Sequence, residues 1–195
     1  DAFVLGENHL YHGEGVAFDP EGILSTIPAI VTVILGVLAG QQMKIRTDDR
    51  PKLVRELLLF GAICVALGLA WNTCFPINKK LWTSSFVLFA GGLSTLVFAA
   101  SVWLIDLKNW QRGTGFFLVF GQNALFAYVL SEALVSALFS IPAGSGSLFS
   151  TIYGTVFRPI LDGKEWSSFL FAIAYMLTCW LFCKFIFEKK IFIKI

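Results

Sequence analysis

Residues 17–42 read AFDPEGILSTIPAIVTVILGVLAGQQ. Asp19 and Glu21 flank a proline, and no residue from Ile23 to Gly40 carries a charge. At about 1.5 Å of rise per residue, a helix over that run crosses most of a ~30 Å hydrocarbon layer. The stretch reads as an acidic rim leading straight into a transmembrane helix. Asp19 is expected to cap that helix, with Pro20 at its first position and Glu21 in its first turn. Pro28 predicts a kink, and Ser25 and Thr26 can satisfy the backbone groups it frees. Gly36 and Gly40 form a GxxxG pair that lets another helix approach closely.

The surrounding chain has the same character. Of its 195 residues 56% are hydrophobic and 14% charged, against about 25% charged in soluble domains. Mean hydropathy is +0.74. The expected class is an all-α integral membrane protein, a bundle of about five transmembrane helices. Residues 1–21 read as an extramembrane loop, with Phe3 and Tyr11 as packing anchors. Spans are expected near 22–43, 52–72, 81–104, 115–140 and 166–187. Pro51 suits the start of the second span. Gly61 and Gly68 suit close helix contact in the second, and Gly91–Gly92 marks close contact or a bend in the third. Trp71 and Trp82 flank the turn at Pro76 and Asn78 as an interfacial aromatic belt would. The piece SLFSTIYGTVFRPIL predicts a short interfacial or re-entrant helix. Because the chain opens at Asp1 without a leader pattern, it is expected to be the C-terminal part of a larger multi-span protein.

Ionisable and amide groups inside the spans are few. Gln122, Asn123, Tyr128, Ser131 and Glu132 fall within the fourth. Such groups normally face a bundle interior or a wet cavity, so Asn123 and Glu132 are expected to line one, although helix-to-helix bonding is the plainer alternative for the amides. The chain has two histidines and four cysteines. His9 and His12 share a helix face if that segment is helical. A solvated loop is the simpler reading, Cys179 and Cys183 lack further ligands nearby, and no metal is expected.

Charge bias orients the chain. Residues 44–55, 108–112 and 184–194 hold eleven of the fifteen basic residues, and Lys79, Lys80, Arg158 and Lys164 are the rest. The positive-inside rule then puts the C-terminus in the cytoplasm and residues 1–21 in the periplasm of a bacterial inner membrane. Basic residues sorted by membrane side do not form a groove for nucleic acid.

The blocks GENHLYH, FDPEGILSTIPAIVTVILGVLAG, INKKLWTSSFVL, FGQNALFAYVLSE and KKIFIKI, in this order over nearly the whole chain, resemble the heparan-alpha-glucosaminide N-acetyltransferase family and its bacterial relatives. The resemblance implies a membrane-bound acyltransferase. It would move acetyl from cytosolic acetyl-CoA to a glucosamine-type amine on the far side. The family's active histidine belongs to a His-x-x-Trp-x-Gly setting that does not occur here, so the catalytic residue is expected in the missing N-terminal half and this piece alone is expected to be inactive. Acetyl transfer to an amine needs a base for the ammonium proton and donors for the thioester oxyanion. Candidate substrate-binding residues are Asp19 and Glu21, the facing rim of Asn78, Lys79 and Trp82, and Asn123 and Glu132. Arg46, Lys52, Lys108 and Arg112 are the candidates for the phosphates of CoA. The expected partners are the lipid bilayer, the N-terminal half, the amino-sugar substrate and a second copy of the chain. Two rival readings stay open: an amino-sugar transporter with the same polar interior as its path, and a structural bundle supporting a catalytic half.

Overall fold

The structure, a computed structural model, describes residues 2–12, 15, 18, 20, 22–144, 146–159 and 164–193. It is an all-α membrane bundle. Among the described residues four helices are long and apolar enough to cross a membrane, or five when a bent pair counts as one span. The chain divides into two compact units, Asp1–Gln111 and Arg112–Ile195.

The first unit opens with a single turn, α1 (Ala2–Leu5), and a 3₁₀ turn at Glu7–His9. Tyr11 and Phe18 then pair their backbones at 3.1 and 3.2 Å and meet ring edge to ring face. Phe3, expected as an anchor, is fully exposed. Three long helices follow: α2 (Thr26–Ile45), α3 (Arg50–Trp71) and α4 (Ser84–Val102), the last continued by a π-helical turn at Trp103–Leu107. Their ends follow from local chemistry. Asp49 accepts the Lys52 N–H at 3.1 Å and caps α3, with Pro51 in the first turn where no intrahelical N–H is needed. Thr83 caps α4 by accepting from Phe86 N at 3.3 Å.

The start of α2 departs from expectation. The helix begins at Thr26, not near Pro20, because Ser25 turns its hydroxyl to the Leu81 carbonyl at 2.9 Å and makes no cap of its own. Asp19 and Glu21 lie outside the described residues. Pro28 therefore falls in the first turn of α2, where its missing N–H costs nothing and no kink is required.

α3 and α4 run antiparallel and carry the packing of this unit. A Cβ on Gly92 would sit 2.7 Å from Val65 N and 2.8 Å from Gly61 O, and one on Gly68 would sit 2.7 Å from Phe89 N. These glycines let the two backbones touch. Leu53, Leu57 and Ala99 form the buried core, with Ala39, Met43 and Phe98 against it. α2 is held more loosely: none of its residues is buried, and Gly36 and Gly40 face open space. Exposed Ile27, Val33 and Val97 suit a surface solvated by lipid.

In the second unit the run expected as one span is broken. α5 (Thr114–Gln122) and α6 (Ala124–Ser140) meet at 82°. Asn123 stands between them with φ −130 and ψ 44, outside helical geometry. A two-residue hairpin, β1 (Pro142–Ala143) with β2 (Gly146–Ser147), leads to α7 (Leu148–Ile152) and a π-helical turn at Tyr153–Phe157. α8 (Lys164–Glu188) braces both arms of the break. Trp180 donates to Phe116 O at 3.0 Å with its ring stacked on Phe116, and the Tyr175 hydroxyl donates to Ser131 O. Phe171 packs edge-on against Phe149, Tyr153 and Phe157.

Candidate functional site

The connection between α3 and α4 is held by several side-chain hydrogen bonds to its backbone. Asn72 Oδ1 accepts Ile77 N at 2.7 Å. Asn78 Oδ1 accepts both Lys80 N at 2.8 Å and Leu81 N at 3.2 Å, an Asx turn built over one side chain. Thr83 Oγ1 accepts Asn78 N at 3.0 Å and donates to Pro76 O at 3.1 Å. Asn78 thus serves the loop backbone, while Lys79 is exposed.

This wiring forces Trp82 into the left-handed region at φ 49, a conformation that costs a residue with a Cβ about 1–2 kcal/mol. The ring is fixed at two points. Its Nε1–H donates to Thr32 Oγ1 on α2 at 3.1 Å, and it meets Phe86 in a T-shaped contact with centroids 5.2 Å apart. Thr32 Oγ1 in turn donates to Pro28 O at 3.2 Å, which leaves its lone pairs for the indole. Trp82, Ser25, Thr26 and Ala29 line a cavity of about 300 Å³. A second, apolar cavity of about 360 Å³ lies farther along α2, between it and α4, with Thr32, Gly36 and Phe98 in its wall.

The sequence candidates are distributed as follows. Lys79 and Trp82 share one turn, since Trp82 N donates to Lys79 O at 3.2 Å. Asn123 and Glu132 are not brought together. Asn123 is fully buried at the elbow and Glu132 is exposed on α6, nine residues and about 13 Å of helix farther on. The Tyr175 hydroxyl reaches the backbone carbonyl of Ser131, the residue before Glu132. Arg46 is engaged in an ion pair with Glu56 at 3.2 Å and bonds Gln42. Lys108 sits 5.4 Å over the Trp103 ring. Lys52 lies in the first turn of α3 and Arg112 just before α5, both exposed. His9 bonds Leu5 O at 3.0 Å, and among the described residues no three His, Cys, Asp or Glu side chains converge on a metal position.

Ser25, Thr26, Ala29 and Thr32 were not marked by sequence as part of a pocket. One signal was available: a tryptophan N–H out of water needs an acceptor, and Thr32 is the hydroxyl one turn past Pro28 on the adjoining helix.

No family model matches the chain. Two curated proteins are similar to it. The heparan-alpha-glucosaminide N-acetyltransferase of Mus musculus is 36% identical over 152 residues, which covers 69% of this chain and 22% of the mouse protein. The protein of the same name from Homo sapiens is 37% identical over 153 residues, covering 68% of this chain and 22% of its own length. The chain thus spans about a fifth of the curated relatives that it matches.

Proposed function

The chain belongs to the heparan-alpha-glucosaminide N-acetyltransferase family, and from that premise we propose that it acts within a membrane-bound enzyme that acetylates the amine of a glucosamine-type sugar, with acetyl-CoA as donor. In that reaction the amine nitrogen attacks the thioester carbonyl, the new amide C–N bond forms, and the C–S bond breaks to release the CoA thiol. The ammonium proton must leave first, to a base.

The positive-inside rule favours entry of acetyl-CoA from the cytoplasmic side, where Arg46, Lys52, Lys108 and Arg112 stand by charge bias. The opposite side holds the Trp82 loop and residues 1–21, with Asp19 and Glu21 as counter-charges for a cationic sugar. The observation that carries this reading is the similarity to two N-acetyltransferases over more than two thirds of the chain. Incubating the full-length protein in vesicles with acetyl-labelled acetyl-CoA and glucosamine tests it: label must appear on the sugar nitrogen, and its absence ends the proposal.

One feature favours a second reading. Helices broken within the membrane are common in solute transporters, and α5 and α6 are broken at Asn123. Uptake of unmodified glucosamine into vesicles lacking acetyl-CoA would support transport instead.

A further inference from the structure

We infer that the cavity under Trp82 is a binding site for a single amino-sugar ring, with Thr32 as the residue that positions the indole. The choice of an amino sugar rests on the acetyl-transfer reading; the acceptor-only chemistry of the cavity does not. At about 300 Å³ the space is at the small end of ligand pockets, fit for one ring rather than for a nucleotide.

Among the described residues its side-chain hydroxyls are of one kind. Ser25 is buried and spends its proton on Leu81 O at 2.9 Å. Thr26 spends its proton on Gly22 O at 3.4 Å. Both hydroxyls can therefore only accept hydrogen bonds from a ligand. The indole N–H is also committed, to Thr32. What remains is an aromatic surface beside two acceptors. Such a surface recognises a molecule with hydroxyl or ammonium donors and an apolar C–H face, and it attracts a cation to the ring. Among the described residues its side chains offer a phosphate or carboxylate no free donor, which disfavours the CoA moiety at this position.

Thr32 acts through Trp82. Its hydroxyl is held by Pro28 O and receives the indole N–H, so the ring plane is set before any ligand arrives. Pre-set geometry lowers the ordering cost of binding.

The test uses the chain in lipid nanodiscs. Saturation-transfer NMR follows methyl glucosaminide, with inorganic pyrophosphate as the anionic competitor. The sugar is expected to bind and pyrophosphate not to displace it. Trp82→Ala should weaken binding by roughly tenfold or more through loss of the aromatic wall. Thr32→Val, which removes the acceptor, should weaken it roughly fivefold, and Thr32→Ser should restore it. The paired Thr32 variants guard against a Trp82 variant that fails to fold, and the indole NH resonance of 15N-labelled protein reports the Trp82–Thr32 bond directly.

Absence of saturation transfer to the sugar, displacement by pyrophosphate, or unchanged binding in both Thr32→Val and Trp82→Ala overturns the site. Acetyl transfer measured with the same substitutions in the full-length protein separates the two claims. Transfer with an unaltered KM in Thr32→Val removes the site and leaves acetylation standing. Binding as expected without any transfer keeps the site and removes acetylation.

Discussion

The backbone N–H of Ile193 donates to Oδ1 of Asn123 at 3.0 Å, which ties the end of the described chain to the break between α5 and α6. The sequence KKIF prepares this contact. Lys190 adopts φ 57, and Ile191 N returns to Ile186 O at 3.2 Å, so α8 ends in a left-handed turn that sends the chain back along itself. Phe192 then packs edge-on against Phe187. Asn123 Nδ2, on the same amide, is buried and has no partner among the described residues. Asn123→Ala removes an acceptor that is used and a donor that is not. Its cost should therefore be only about 1 kcal/mol. Hydrogen exchange should quicken at residues 191–193 and stay slow in the middle of α8.

The glycines of the first unit supply a contrast within one chain. Gly92→Ala puts a methyl against the α3 backbone, and overpacking of this kind costs about 1–3 kcal/mol. Gly36→Ala meets nothing within 4 Å and gains helix propensity, up to about 1 kcal/mol. Thermal unfolding in detergent should shift down for the first and be unchanged or shift up for the second. Equal shifts would mean that the two helix faces are packed alike.

Asp49 is the side-chain cap of α3. Asp49→Ala should destabilise by about 1 kcal/mol, and Asp49→Ser should recover most of that. A loss that follows charge rather than hydrogen bonding would make Asp49→Ser as damaging as Asp49→Ala in the same unfolding assay.

Pro28 gives the reverse case. In the middle of a helix a proline costs about 3 kcal/mol. In the first turn of α2 that penalty is absent, so Pro28→Ala should change unfolding stability by less than about 1 kcal/mol. A large stabilisation would put Pro28 inside a longer, kinked helix.

The long apolar helices were legible because lipid imposes one requirement, an uncharged run long enough to close its own hydrogen bonds. Pro51 marked the start of α3, because a first turn needs no N–H there. Gly61, Gly68 and Gly92 were readable as contact residues because only glycine admits a neighbouring backbone. The elbow at Asn123 was not legible: apolar composition sets how much chain can enter a membrane, not the direction in which it runs. Asn is nevertheless a good residue to begin a helix, and Asn123 stands immediately before α6. The Trp82–Thr32 bond joins residues fifty positions apart, and no periodicity reports such a pair. The late start of α2 had the same origin, since Ser25 is drawn to Leu81 on another segment.

The 82° elbow also bears on how much of this unit can cross lipid. A nine-residue arm is about 13 Å long, and the seventeen residues of α6 are about 26 Å; only the longer approaches the thickness of the hydrocarbon. When α6 stands upright, α5 runs nearly parallel to the lipid surface. Of the broken pair, α6 alone then makes a crossing, and α5 adds none.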